Sequence, residues 1–319
     1  MTDYSHAIAR DGSNDPLVPA PVAADIIAEM PKSSAILSLA RNVRMSSKTW
    51  RTPALSLLPT AYWVSGDSGL KKTASADWEN VTITAEEIAV IVPIPEAYLA
   101  DSQVPVWDEV RPLVAQAFAA KLDGAALFGT DAPATFPSLG VYGQTLASGN
   151  VMVRGAGSTT LAANIATAGE TVAQDGYAVN GFAARPGFAW NLVGQNVSGT
   201  PIYQPAQGGL PTGLPGQLYG YPFKEVLDGG WDATEAELIA GDWSKALVGV
   251  RQDMTFKVFT EGVISDESGT VVLNLMQNDS VALRAVMRVG FALARPVTAL
   301  NSAATRSPFY AIQATTANS

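Results

Sequence analysis

The sequence predicts an α+β fold, and three observations predict it. Residues 106–128 carry apolar side chains three or four apart, the spacing of one long helix. Residues 43–93 and 246–294 instead alternate apolar with polar or small residues, the spacing of strands. Helical and extended segments are mixed without a regular strand–helix–strand rhythm, and no internal repeat is present.

The elements follow in order. Residues 1–15 are polar, with Gly12, Asn14 and Asp15, and read as a flexible arm. Pro16 to Pro21 opens a helical segment in which Val22, Ile26, Ile27 and Met30 share a face and Pro31 is the stop. Ile36, Leu37 and Leu39 form a second short apolar patch. From Val43 to Pro93 the pattern is extended. Thr49–Thr52 and Leu55–Trp63 make one arm, Ser65–Thr73 a polar tip, and Trp78–Pro93 the return, with Val81, Ile83, Ile88, Val90 and Val92 alternating. The reading is a long two-stranded hairpin with arms of roughly 12 residues, each reaching ~40 Å. Trp63 and Trp78 flank its tip and would pair across the strands if they face one another. A free hairpin of that length is marginal in water, so it needs a surface to lie on, and a neighbouring copy of the chain is the natural one.

Val106–Phe128 is the clearest helix. Trp107, Val110, Val114, Phe118, Leu122 and Ala126 line one face, Gly129 ends it, and Pro112 kinks it near its start. The stripe reads as core packing, a spine and not a cofactor box. Residues 135–248 are rich in Gly, Ala and Pro, with short elements. Leu161–Gln174 reads as a helix, Gly181–Ala184 as a strand leading to a short helix through Val193, and Leu218–Phe223 as strand-like. Ala246–Val250, Met254–Phe259, Val271–Leu275 and Val281–Ala294 read as strands, with Asn278–Asp279 as a turn.

Composition points to assembly. Only 15% of the 319 residues are charged, against about 25% in typical soluble domains, while 47% are hydrophobic and mean hydropathy is +0.14. So few charges leave too little polar surface for a free monomer of this size, and other copies of the chain are expected to cover much of it. No apolar run approaches the ~18 residues of a membrane span, and the start of the chain lacks the basic-then-apolar pattern of a secretory signal. Cysteine is absent, which excludes disulfides, thiolate zinc sites and cysteine nucleophiles. The net charge is −9, and no dense Lys/Arg cluster is present. That balance suits the lining of a container whose nucleic acid must not stick, with weak, non-specific contact at most.

The catalytic inventory is thin. His6, the single histidine, sits in the polar arm and not in a buried, oriented setting. Gly69–Thr73 only superficially resembles the end of a phosphate loop, and the glycines at 208–216 are interleaved with prolines. Glu86 and Glu87 are adjacent, so on a strand they point to opposite faces, and Asp266–Glu267 sits in a turn composition. No catalytic residue, cofactor or metal is expected.

The order of these segments resembles the major capsid proteins of tailed bacteriophages, the HK-type shell fold. The resemblance covers nearly the whole chain. It rests on Leu17–Ser34, on Ala61–Val64 with the polar tip and Trp78–Ile83, and on Val92–Ser102. It continues through Lys121–Gly129, Leu218–Phe223, Gly241–Ser244 and Asn278–Ala285. Each motif is short and degenerate; their order and spacing carry the weight.

The resemblance implies an N-arm (residues 1–42) and an extended E-loop hairpin (43–95). It further implies a peripheral domain with a long spine helix (96–134 and 249–298), an axial domain (135–248) and a C-terminal segment (299–319). It implies self-assembly into pentamers and hexamers of an icosahedral head around double-stranded DNA, built in the host cytoplasm, with a portal and in some cases decoration proteins as partners. Inter-subunit contacts are expected from Trp63, Gly66, Asp67, Leu70, Lys71, Lys72 and Trp78 at the E-loop tip, and from Leu17, Val18, Ile26 and Ile27 in the N-arm. Some members crosslink an E-loop lysine to a neighbour's asparagine; no matching asparagine and glutamate are recognisable here, so no crosslink is expected. About twenty residues precede the N-arm motif, too few for a built-in scaffolding helix, so scaffolding is expected from a separate protein or not at all. Two alternatives are an encapsulin-like compartment and, from another class, a secreted carbohydrate-acting enzyme or binding module.

Overall fold

The structure is a computed structural model of the chain. It describes residues 34–64, 71–101, 106–155, 160–193, 196–197, 200–201, 217–266 and 268–314. The expected helix at 22–30 lies outside them, as do His6, Leu17, Val18, Ile26 and Ile27.

The chain begins with helix α1 (Ala35–Leu39), whose N-cap Ser34 accepts from the Leu37 N–H, and strand β1 (Arg41–Arg44). Strands β2 (Thr49–Leu57) and β3 (Asp77–Thr84) form the antiparallel hairpin. Then come β4 (Glu86–Pro95), α2 (Glu96–Asp101) and the long helix α3 (Val106–Phe128). The predicted stripe of α3 is buried at Val110, Val114, Phe118, Leu122 and Ala126. Helix α4 (Gly140–Ser148) packs directly on it: a Cβ at Gly140 would strike the Ala126 carbonyl oxygen.

The next elements are β5 (Val151–Val153), α5 (Leu161–Gln174), β6 (Gly181–Ala184), α6 (Phe188–Val193), β7 (Asn196–Val197), β8 (Thr200–Pro201), β9 (Gln217–Leu218), β10 (Tyr221–Glu225) and β11 (Leu238–Gly241). Strands β12 (Ala246–Phe259), β13 (Val263–Ser265), β14 (Val271–Asn274), β15 (Ser280–Leu293) and β16 (Phe309–Gln313) complete the chain.

Two sheets organise these elements. A four-stranded sheet runs β1–β12–β15–β4, and α1 and α3 share its apolar core. A six-stranded sheet runs β5–β16–β11–β6–β10–β9. Its central strands are buried on both faces. Ala183, Ile239, Phe309 and Ala311 join the core of α3, whereas Phe182, Ala184, Leu238, Ala240, Tyr310 and Ile312 pack with Leu161, Ile165 and Val172 of α5. That is the period of 2 expected of strands, with an apolar layer on each side.

Two expectations are corrected. The returning hairpin arm stops at Thr84; Glu86–Pro95 is a separate strand paired with β15. The reason is a slip of phase. Ile83 and Ala85 are buried, but from Ile88 onward the even positions turn inward, so the strand changes partner at Ala85, whose N–H donates to the Lys48 carbonyl. The hairpin ladder is therefore 9 and 8 residues long, ~30 Å, not ~40 Å. Second, Ala246–Phe259 is one strand, since irregularities between Val250 and Thr255 absorb the break in alternation. The C-terminal segment supplies β16, an interior strand of the six-stranded sheet.

Candidate functional site

The root of the β2–β3 hairpin is locked to the four-stranded sheet by shape. Gly249 of β12 and Gly290 of β15 are paired across the ladder. With no side chains there, Ile83 of β3 settles into the hollow and is wholly buried. A Cβ on Gly249 would come 2.9 Å from Ile83 Cγ2, and one on Gly290 2.6 Å. Met45, Leu247, Ala85 and Ala292 close the pocket, and Trp50 and Val81 pack against it. A further tie comes from the C-terminal side, where the Val297 N–H donates to the Leu55 carbonyl at 2.8 Å.

Beyond this root, among the described residues, the apolar side chains of the hairpin lie open. Leu57, Trp63, Val64 and Trp78 are exposed, Trp63 completely. Trp78 stands opposite Leu55 and not Trp63, because the ladder ends at Leu57 and Trp63 lies past it; the condition for pairing the two tryptophans is therefore not met. Lys71 and Lys72 are both exposed. Tyr62 joins the two flanks of the tip: its hydroxyl donates to the Lys72 carbonyl at 2.7 Å, and Lys72 Nζ lies 5.6 Å from its ring centroid. Tyr62 is not among the expected tip contacts, although it stands beside Trp63 immediately before the polar tip. Gly66, Asp67 and Leu70 lie outside the described residues.

A second, shorter hairpin, β13–β14, projects an apolar face. Leu273 and Leu275 pack with Ala282 of β15, while Val263, Val271 and Met276 are exposed. Its turn is organised by Asp266, which accepts from the Ser268 and Thr270 N–H groups at 3.0 and 2.9 Å and from the Ser268 hydroxyl at 2.6 Å. The Ser268 hydroxyl chiefly, with the backbone donors, holds the Asp266 carboxyl below the usual range.

Two buried or half-buried carboxylates make structural ties. Glu237 is buried between two arginines, with Arg154 at 3.1 Å and Arg185 at 3.3 Å. Asp175 gathers the segment before β16, accepting from Asn301 Nδ2 at 2.6 Å, the Ser307 N–H at 2.9 Å and Asn150 Nδ2 at 3.1 Å. Among the described residues no group of three or more His, Asp or Glu converges on a point where a metal could sit. No described helix is long and apolar enough to cross a membrane. The arrangement offers exposed apolar projections on a rigid two-sheet body, which is the chemistry of an assembly surface.

Comparison with known proteins agrees with this geometry. The model of the family described as the phage capsid family matches residues 14–300. The major capsid protein of Staphylococcus phage 80alpha is 25% identical over 272 residues, covering 84% of this chain and 79% of that protein. A solved chain from Microbacterium phage Oxtober96 is 34% identical with a TM-score of 0.77, covering 96% of each chain. One from Mycobacterium phage Adephagia is 27% identical, also at 0.77, covering 97% of this chain and 96% of that one.

Proposed function

This chain belongs to the phage capsid family and is a major capsid protein of an icosahedral phage shell, and we propose that its β2–β3 hairpin is the E-loop that lies over a neighbouring subunit. The observation that carries the reading is the contrast along one ribbon. Ile83 at the root is wholly buried, while Leu57, Trp63 and Trp78 further out are exposed. Apolar side chains held away from their own core on a fixed ribbon leave water only by packing against another copy.

The four-stranded sheet with α3 serves as the peripheral domain, and the six-stranded sheet with α5 as the axial domain around each capsomer centre. Leu17, Val18, Ile26 and Ile27 act in an N-arm that contacts neighbours. A portal is the expected partner, with decoration proteins in some shells. Shells assemble in the bacterial cytoplasm. The net charge of −9 supports only weak, sequence-independent contact with packaged double-stranded DNA.

Deletion of Lys71–Ser75 tests the E-loop reading. All five residues are exposed, so the free subunit keeps its circular dichroism and melting temperature. Assembly yields few or fragile particles by negative-stain microscopy, because even a weak interaction, once removed from every subunit, compounds around a closed shell. Normal, equally stable shells would sink the proposed role.

A further inference from the structure

The long helix α3 carries a charged residue on its buried face. Asp123 has no solvent exposure. Its carboxyl accepts from the Ser34 hydroxyl at 2.6 Å, the Ala35 N–H at 2.6 Å and the Ile36 N–H at 3.3 Å, and so ties the start of α1 to the middle of the body. A second carboxyl, that of Asp228, faces it from the segment after β10. Asp228 Oδ1 accepts from the Gly230 N–H at 2.9 Å, while its Oδ2 is buried and has no donor among the described residues. Two ionised carboxylates have no proton to offer each other, and burying both uncompensated is costly. One proton held between them supplies the missing donor.

We propose that Asp123 and Asp228 share a single proton and act as a pH-sensitive latch, fastening the start of α1 to the long helix. The surrounding groups leave the proton to the pair. Helix α1 contributes hydroxyl and N–H donors but no titratable side chain. Lys224 of β10 pulls the Asp228 carboxyl down, against the larger upward effect of its burial. Glu225 accepts from the Ala189 N–H, Lys121 is paired with Asp131 at 2.9 Å, and Asp232 is bonded to Thr234. Burial pushes Asp123 up to about 7, Asp228 adds to the rise, and the Ser34, Ala35 and Ile36 donors oppose it. The proton belongs to the pair and not to either residue alone.

The sign follows from linkage. The folded pair holds its proton up to about 7, while a free aspartate releases it near ~3.9. The stabilisation is complete below the lower value and is lost as pH rises to the upper one. Over that interval the folded-to-unfolded ratio falls by up to tenfold per pH unit, the slope easing as pH nears the upper value, so by about 50-fold from pH 5 to pH 7.

The test is guanidinium unfolding of the full-length chain at pH 5, 6, 7 and 8, beside Asp228→Asn. The amide of the variant donates to Asp123 at every pH. The wild-type ratio is expected to fall about 50-fold relative to the variant between pH 5 and pH 7, and the variant to be the more stable at pH 8. Parallel profiles for the two proteins would overturn the latch. Infrared spectra of the wild-type chain carrying 13C-labelled aspartate give an independent reading that needs no variant. A protonated carboxyl band present at pH 6 and gone at pH 8.5 supports the shared proton; its absence at pH 6 refutes it.

Discussion

Gly249 and Gly290 stand opposite each other across β12 and β15, and the missing side chains make the seat for Ile83. The relationship sets the direction of the whole hairpin, since a ribbon anchored at one end is aimed by its root.

Gly290→Val tests that seat. Its new side chain competes with Ile83 Cγ2 and the Thr84 carbonyl for one space. Overpacking of this kind costs ~1–3 kcal/mol. The subunit is expected to melt at a lower temperature, and shells to fail even where the fold survives, because the ribbon is displaced. Ile83→Ala leaves the seat empty and costs ~2–5 kcal/mol without a clash. Differential scanning calorimetry and electron microscopy of both variants separate stability from aim; normal shells from Gly290→Val would show that the seat does not direct the hairpin.

Trp63 makes the opposite prediction. It is fully exposed, so Trp63→Ser changes the stability of the unassembled subunit by no more than ~0.5 kcal/mol. Its effect is expected in the shell, as a lower yield of particles or a lower disruption temperature. A large loss of monomer stability would mean that Trp63 packs within its own subunit.

Helices α3 and α5 are legible in the sequence because each buries one stripe, and a stripe has a period. The hairpin is legible in outline only. The slip of phase between Ile83 and Ile88 is visible in the letters, but both halves carry β-branched residues, and only the pairing of Glu86–Pro95 with β15 marks the break. Strand β16 leaves no alternating pattern, because Phe309, Tyr310, Ala311 and Ile312 are buried on both faces. Helix α4 escapes sequence reasoning for a related reason: it opens on Leu139 in the left-handed region at φ 54° and on a glycine, neither of which signals a helix start. Among functional residues, the exposed Trp63, Lys71 and Lys72 are legible from composition. Asp123 is hidden inside an apolar stripe, since its donors at Ser34–Ile36 lie almost ninety positions away.

Glu237 tests how one end of the six-stranded sheet is held. It is buried at the start of β11 and is the shared partner of Arg154, after β5, and Arg185, after β6. Glu237→Ala leaves two guanidinium groups without their carboxylate. The arginines stay partly in water, so the expected loss lies between the ~1 kcal/mol of a surface pair and the ~3–5 kcal/mol of a fully buried one. Glu237→Gln keeps the shape and one acceptor, and is expected to lose less. Denaturant midpoints for the two variants check the order; equal stability of wild type and Glu237→Ala would remove the clamp from the account.

Asp175 controls how the chain returns to the sheet. Its carboxylate and carbonyl hold Asn301, Ser307 and Thr298, and Arg306 adds bonds to the carbonyls of Arg295 at 2.6 Å and Ala303 at 2.7 Å. These contacts shape the segment that delivers β16 into register between β11 and β5. Asp175→Ala removes the side-chain acceptor shared by Asn150, Asn301 and Ser307, at about 1–3 kcal/mol for each donor left unsatisfied. The loss is expected to be smaller than their sum, since water reaches part of the segment. The predicted phenotype is local: faster hydrogen exchange in residues 298–313 with little change in α3, because the long helix packs in a core that Asp175 does not enter. Uniform acceleration across α3 and β16 alike would mean that the two sheets open as one unit, and the C-terminal return would then be part of the global core.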